Sequence, residues 1–210
     1  MTDMPRSARG AAKRQAILAA ATEVFLSNGY RGASMDEIAA RASVSKQTVY
    51  KHFHSKETLF TELLLGAVGA VDQLIRAGVA SLAESQNLER DLTALARRFV
   101  GHLMQPDVMR LRRLVIAEAD RFPAIGEAFY DGGPRRVAAV LGEAFTVLAR
   151  RGQLRLADPE LAANHFCWLV LSIPWNRVLF AGGAHLPDEA EIDRVAAAGV
   201  AAFLRGYAAG

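Results

Sequence analysis

The chain has 210 residues, of which 51% are hydrophobic and 22% are charged, and its formal net charge is +3. This balance predicts a packed globular protein and excludes disordered, collagen-like and low-complexity chains. The only cysteine of the sequence, Cys167, excludes an internal disulfide framework and a multi-cysteine zinc cluster, and it fits a reducing compartment.

The hydrophobic segments are too short to predict a membrane anchor. The longest charge-free stretch of the C-terminal half, residues 161–176, contains polar side chains and falls short of the roughly 20 apolar residues that a membrane-spanning helix needs. The apolar run at residues 16–21 is short and lacks a cleavage-site pattern, so we expect no secretory signal. We therefore expect a cytoplasmic protein without membrane attachment.

The positive charge is concentrated near the start of the chain. Residues 1–60 carry nine Lys or Arg and five Asp or Glu, a net charge of +4, whereas the remaining residues have a net charge of −1. This asymmetry suggests that the N-terminal part binds a polyanion. Proteins that bind no nucleic acid also show charge differences of this size, so the charge alone does not identify a nucleic-acid-binding protein.

The hydrophobic periodicity predicts an all-α fold of about nine helices. No segment shows the two-residue alternation that is typical of a half-buried strand. The first helix is predicted to end at Asn28-Gly29, a turn-forming pair. The predicted helices cover residues 11–28, 35–42, 46–52, 56–83, 88–104, 108–121, 124–152 with a break near Gly132-Gly133-Pro134, 159–181 and 189–207.

The second and third predicted helices have the spacing of a helix-turn-helix motif. Ser34 and Glu37 form a capping box at the start of the second helix, and Ser45 is placed to cap the third. A protein surface that enters a DNA major groove needs hydrogen-bonding groups for base edges and cations for phosphates, and it should lack carboxylates, which the phosphates repel. The outward side of the third helix fits this requirement with Lys46, Gln47, Thr48, Tyr50, Lys51 and His52. An ordinary solvated helix pair is the alternative explanation of this pattern.

Residues 14–60 read RQAILAAATEVFLSNGYRGASMDEIAARASVSKQTVYKHFHSKETLF. This stretch resembles the N-terminal domain of the TetR family of transcriptional regulators. The matching positions are Phe25, Gly29-Tyr30, Ser34, Ile38-Ala39, Val44-Ser45, Thr48-Val49-Tyr50, His52-Phe53 and Ser55-Lys56-Glu57. The resemblance implies a helix-turn-helix DNA-binding domain over residues 1–58 and a larger helical ligand-binding and dimerisation domain over residues 59–210. It also implies a homodimer that places each third helix in a major groove of a palindromic operator.

The resemblance implies specific DNA contacts. Lys46, Gln47 and Thr48 open the reading helix and are expected at base edges, and Gln47 replaces the glycine that is common in the family. The full predicted DNA-binding set is Ser34, Lys46, Gln47, Thr48, Tyr50, Lys51, His52 and Lys56. For His52 the alternative is support of the helix end, and for Lys51 it is a solvated side chain.

For the C-terminal body the resemblance implies an effector pocket and a dimer interface made by the last two helices, residues 159–181 and 189–207. The sequence supports this interface independently, because the first of these helices is apolar around its circumference between Leu161 and Trp175. The second carries small residues at 196–199 and 201–202 that allow close helix packing. A buried terminal helix in a monomer is the alternative.

The candidate pocket residues are aromatic or polar side chains within apolar helices, and such a pocket selects small hydrophobic or aromatic molecules. They are Phe99, His102, Met109, Phe129, Phe145, His165, Trp168 and Trp175, with Tyr130, Asn164 and Asn176 as further candidates. Core or interface positions are the alternative for the two tryptophans, and core or surface positions for the two histidines. Arg110, Arg112 and Arg113 are predicted to form a solvated helix face, with binding of a ligand carboxylate as the alternative.

The sequence does not favour an enzyme. His52 and His54, like His165 and Cys167, are two residues apart, so a helix points them in nearly opposite directions and they suit metal binding badly. There is no glycine-rich phosphate loop and no GxSxG motif, so we expect no metal and no cofactor.

We therefore predict a ligand-responsive transcriptional regulator that binds a palindromic operator as a homodimer. On family grounds it is a repressor, released by a small hydrophobic or aromatic effector. A DNA-binding regulator controlled by a protein partner is the alternative, and a small helical enzyme is the remote one.

Overall fold

The computed structural model describes residues 6–82 and 84–209. Within these ranges, an isolated antiparallel β-bridge pairs Leu154 with Ala208. The helices are α1 (Arg6–Gly32), α2 (Met35–Arg41), α3 (Lys46–Phe53), α4 (Lys56–Leu82), α5 (Leu88–Leu103), α6 (Pro106–Glu118), α7 (Pro123–Tyr130), α8 (Arg136–Arg150), α9 (Pro159–Ala181) and α10 (Glu189–Tyr207). A π-helical segment, Asp131–Arg135, joins α7 to α8 without interruption. The prediction of an all-α fold with about nine helices is confirmed.

The chain divides into two compact units. The first comprises the chain up to Gly66 together with Leu114–Ala128, and the second comprises Ala67–Arg113 and Phe129–Gly210. Helices α4, α6 and α7 therefore each contribute residues to both units.

The core of the first unit contains a cluster of aromatic rings. The ring centroids of Phe25 and Phe60 are 4.8 Å apart, and Tyr30 lies 5.0 Å from both Phe60 and Phe122. Gly29 kinks α1 with a φ of 71°, a left-handed conformation that glycine adopts without steric cost. The sequence places a helix end at this glycine, and the structure shows that Tyr30 continues from the kink into the aromatic core.

The core of the second unit joins α8, α9 and α10. Phe145, Phe166 and Phe203 are fully buried, and the centroid distances among the three rings run from 5.1 to 5.7 Å. Helices α9 and α10 also approach closely at Gly199, where a Cβ atom would lie 2.8 Å from the carbonyl oxygen of Leu169.

Replacing Gly199 with alanine should lower the free energy of unfolding by about 1–3 kcal/mol, because the added methyl group would collide with the backbone of α9. Chemical denaturation measures this loss. Gly206→Ala in the same helix is the control, since nothing lies within 4 Å of its Cβ position, and it should leave stability unchanged or raise it by up to about 1 kcal/mol. Equal changes in the two variants would contradict the close approach of α9 and α10.

Helix α4 contains the one long apolar window of the described chain that meets the criteria for a membrane-spanning helix. Its 18-residue window of mean hydropathy 1.5 would be long and apolar enough to cross a membrane, a test that core helices of soluble proteins also pass. In the second unit its residues Val71, Ile75 and Leu82 belong to the hydrophobic core. Asp72 forms ion pairs with Arg76 at 2.8 Å and with Arg136 at 3.2 Å. These contacts are typical of a helix packed inside a folded domain.

Candidate DNA-binding surface and effector cavity

Two serine caps fix the helix-turn-helix segment of the first unit. The Ser34 hydroxyl accepts a hydrogen bond from the Glu37 amide at 3.1 Å, and the Ser45 hydroxyl accepts one from the Thr48 amide at 3.2 Å. Each cap satisfies an amide that a helix start otherwise leaves unpaired. Ser43 turns the chain between the helices with a left-handed φ of 54°. The caps and the turn therefore set the position of α3 against α2.

Helix α3 is anchored on one side and exposed on the other. Val49 and Phe53 are completely buried, whereas Gln47, Tyr50 and Lys51 are exposed. These three exposed side chains form no hydrogen bond with another described residue. Their polar groups are therefore available to base edges and phosphates.

The other predicted contacts on α3 already have partners within the protein. Lys46 Nζ lies 2.7 Å from a carboxylate oxygen of Asp36, and this hydrogen bond raises the pKa of Lys46. The Thr48 and Ser45 hydroxyls are 2.8 Å apart. The half-buried His52 has its ring centroid 6.2 Å from that of Phe53. The Asp36 carboxylate thus competes with a phosphate or base for Lys46.

The variant Asp36→Asn should bind DNA about 2- to 5-fold more tightly, with similar gains on operator and random duplexes. The substitution removes an exposed ion pair of roughly 0.2–1 kcal/mol that competes for Lys46, and it removes a carboxylate near the DNA backbone. Fluorescence anisotropy at several salt concentrations measures the change. Glu89→Gln in the second unit, also exposed in the first turn of a helix, is the control. Equal or weaker binding by Asp36→Asn would show that Asp36 does not compete with DNA.

Lys56 ties the start of α4 to the end of α1. Its ammonium group donates hydrogen bonds to the carbonyl oxygens of Tyr30 at 2.9 Å and Ala33 at 3.1 Å, with a longer one to Arg31 at 3.4 Å. It also lies 4.8 Å from the centroid of the Tyr30 ring. The sequence predicts a phosphate contact for Lys56, and the structure adds this internal role.

The second unit contains an apolar cavity of about 90 Å³. Three of the predicted pocket residues line it, namely Phe99, Trp168 and Trp175, together with Asn164 from the wider set. The remaining wall is made by Val68, Val71, Leu103, Arg112, Gly133, Pro134, Val137, Cys167 and Leu171. The two tryptophans, whose centroids are 5.8 Å apart, therefore contact the same cavity.

The structure does not bring the other five predicted pocket residues to this wall. Met109 and Phe145 are buried in the core instead, and Phe129 packs beneath the Arg112 guanidinium. His165 is exposed with Nδ1 2.6 Å from the Tyr207 hydroxyl. His102 is half-buried, and its burial lowers its pKa. The physical reason is that each apolar helix has several inward residues, of which only a few face a void.

Of the three further candidates, the two other than Asn164 also lie away from the cavity wall. Tyr130 is 59% exposed. Asn176 is exposed and donates a hydrogen bond to the Ser172 carbonyl at 3.0 Å.

Arg112 corrects the expectation of a solvated arginine face. Arg110 and Arg113 are exposed, but Arg112 lines the cavity. Its Cζ lies 4.2 Å from the Trp175 ring centroid and 4.9 Å from that of Phe129. Burial lowers its pKa to about 10. Position 112 is three residues from Met109 and three from Val115, so helical periodicity could have placed it on the buried side.

Metal and thiol chemistry find little support in the described part of the chain. No group of three or more His, Cys, Asp or Glu side chains there could hold a metal ion. The Cys167 thiol lines the cavity, and burial raises its pKa to about 12. A thiol with this pKa is protonated at neutral pH and is a poor nucleophile.

Comparisons with known proteins cover both parts of the chain. Residues 17–63 match bacterial regulatory proteins of the tetR family, and residues 90–209 match the C-terminal domain of AefR-like transcriptional repressors. A TetR-family regulator of known structure from Mesorhizobium loti is 44% identical with a TM-score of 0.89, over 98% of this chain and 100% of that chain. The flavonoid-responsive regulator FrrA is 29% identical with a TM-score of 0.72, over 93% of this chain and 97% of its own.

A curated relative matches over a shorter stretch. The transcriptional activator FasR of Mycolicibacterium smegmatis is 35% identical over 99 residues, which are 47% of this chain and 43% of FasR. The match thus covers less than half of that relative's length. The match to the AefR-like C-terminal domain and the Mesorhizobium loti structure both extend through the C-terminal body. On these grounds the chain belongs to the TetR family of transcriptional regulators.

Proposed function

We propose that the protein is a transcriptional repressor that binds a palindromic operator as a homodimer and releases it when a small apolar or aromatic effector enters the cavity. TetR-family regulators are typically repressors with ligand-binding C-terminal domains. The observation that carries the proposal is the exposed polar face of α3, which has no acidic residue and is fixed by the two serine caps. We also propose that it acts in the cytoplasm.

The DNA-binding residues divide into two groups in this proposal. Gln47 and Thr48 hydrogen-bond base edges at the start of α3, where Lys46 also reaches after leaving Asp36. The phosphate backbone is contacted by Ser34, Tyr50, Lys51, His52 and Lys56, which set the register of the protein on the duplex.

Helices α9 and α10 are proposed to form the dimer interface. Proteins of this family act as dimers. Helix α9 exposes Leu161, Trp168, Leu169 and Ile173, each more than 40% accessible, and clustered exposed apolar side chains are typical of protein interfaces. Small residues of α10, Ala198 and Ala202, line a groove beside Leu169 and Ile173. Recognition of a palindromic operator by such a dimer requires that the two α3 helices enter major grooves about 34–36 Å apart, or at the wider spacing known in the family.

The apolar cavity supports control by a small molecule over control by a protein partner. Its wall includes Val68 and Val71 of α4, the helix that starts at Lys56 in the first unit. We propose that an effector shifts α4 and thereby disfavours the DNA-binding arrangement. A coupling free energy of about 1–3 kcal/mol would weaken operator binding roughly 5- to 150-fold.

Selection of bound sequences from a random duplex library tests this function. We expect a palindromic motif that a dimer binds at least ~10³-fold more tightly than random DNA. Salt titration on this motif should show the steep dependence of a protein that neutralises several phosphates. Weak binding without sequence enrichment would contradict the proposal.

A further inference from the structure

The cavity of the second unit has one charged side chain in its wall. Of the described residues that line it, Arg112 alone carries a charge at neutral pH, and most of the others are apolar or aromatic. Asn164 uses its amide nitrogen for a local hydrogen bond to the Glu160 carbonyl at 3.0 Å. The electrostatic character of the cavity is therefore set by the Arg112 cation.

The Arg112 guanidinium forms no hydrogen bond with any residue that the structure describes. Its Nε is shielded from solvent and has no acceptor in the described part of the chain. The Trp175 and Phe129 rings attract the cation from 4.2 and 4.9 Å, but an aromatic ring does not replace an in-plane oxygen acceptor. The Nε–H donor on the edge of the guanidinium therefore remains unpaired among the described residues.

An unpaired cation in an apolar wall requires an explanation. Burial is the one cause of the lowered pKa of Arg112, and no neighbouring carboxylate of the described chain offsets it. Folded proteins seldom leave such a group without a counter-charge, because an apolar side chain of similar volume fills the same space at lower cost. An anion that enters the cavity would supply the missing partner.

We propose that Arg112 binds the carboxylate of an aryl-substituted acid whose ring occupies the apolar cavity. The assignment rests on the proposed effector function and narrows it to one chemical class. Arg112 Nε–H and a neighbouring Nη–H form a fork that matches the two oxygens of a carboxylate. Phe99, Trp168 and Trp175 present the aromatic surface against which the ring packs.

The small size of the cavity suggests that binding of an aryl acid moves residues of its wall. Its volume of about 90 Å³ is smaller than the ~150 Å³ of an engineered protein cavity that accepts benzene. An aryl ring that enters the cavity completely therefore has to displace part of the wall. The wall includes Gly133 and Pro134 of the π-helical segment and Val68 and Val71 of α4, and π-helical turns are frequent at functional sites.

The test compares acids with their uncharged amides. Phenylacetate, 3-phenylpropionate and 4-phenylbutyrate, each with its carboxamide, are titrated into the full-length protein by calorimetry. Tryptophan fluorescence reports cavity occupancy directly, because both tryptophans of the chain line the cavity. The variants are Arg112→Met, Arg112→Lys and, as the matched control on the same helix, the exposed Arg110→Met.

We expect the wild-type protein to bind at least one acid about 10- to 100-fold more tightly than its amide. Arg112→Met should lose this preference while binding the amide unchanged, Arg112→Lys should retain part of it, and Arg110→Met should retain all of it. A thermal melt of Arg112→Met at or above the wild-type Tm excludes misfolding as the cause. A merely structural arginine would not produce this dependence on ligand charge.

Three results would overturn the inference: equal binding of acids and amides, an acid preference that survives in Arg112→Met, or no fluorescence or heat change with any acid at millimolar concentration. The proposed regulatory function is judged separately by operator selection. If an uncharged aromatic compound releases the protein from the selected operator, the regulatory function stands and the proposal of an anionic effector is refuted. Acid binding without any selected operator would refute the function and keep the Arg112 site.

Discussion

Replacing Phe203 with alanine is expected to lower the free energy of unfolding by about 3–5 kcal/mol. Phe203 is completely buried, and its ring centroid lies 5.1 Å from Phe145 on α8 and 5.4 Å from Phe166 on α9. It also stacks on Tyr207 of the same helix at 4.8 Å. The substitution leaves a cavity where three helices meet and removes aromatic contacts that each contribute about 0.5–1.5 kcal/mol.

Guanidinium chloride denaturation measures this loss. The wild type and the variant are compared at the same protein concentration, because the stability of a dimer depends on concentration. Phe180→Ala is the matched control, since Phe180 is 83% exposed at the end of α9. We expect this control to stay within about 0.5 kcal/mol of the wild type. A Phe203→Ala loss below about 1 kcal/mol would mean that the ring cluster does not hold the three helices together.

The helix-turn-helix was predictable because local signals determine it. Ser34 and Ser45 satisfy amides only three residues away, so the starts of α2 and α3 are readable from short stretches of sequence. Gly29 at the end of the regular part of α1 is equally local. What the sequence does not contain is the partner of each exposed side chain. The Lys46–Asp36 pair spans ten residues and depends on how α2 and α3 pack.

The cavity was predictable only in part because a void is a property of packing. Trp168 and Trp175 share a helix face and both reach the cavity, whereas Phe145, equally aromatic on a neighbouring helix, fills the core. Hydrophobic periodicity identifies the inward side of a helix but not which inward residues border empty space. Arg112 was grouped with Arg110 and Arg113 for a related reason, since these two exposed arginines nearby favoured a solvated face over the alternative of ligand binding.

The variant Lys56→Met is expected to weaken both folding and DNA binding. The ammonium group donates to the Tyr30, Arg31 and Ala33 carbonyls. Removing a charged donor from such acceptors should reduce the free energy of unfolding by about 1–3 kcal/mol. These acceptors are uncharged, and the described residues include no ion-pair partner of Lys56, so its full charge remains to attract phosphate. Affinity for operator and random DNA should therefore fall together, and the salt slope should decrease by about 0.9.

Lys51→Met separates the two roles. Lys51 is exposed and has no hydrogen-bonding partner among the described residues, so its replacement should flatten the salt slope by a similar amount without lowering the unfolding free energy. The measurements are anisotropy titrations between low and moderate salt and denaturation of each variant under the same conditions. Suppose that Lys56→Met destabilises the protein but keeps the wild-type salt slope, whereas Lys51→Met flattens that slope. Lys56 then only ties α4 to α1. In that case the phosphate-binding set would end on α3, and α4 would influence DNA binding through the position of its first turn alone.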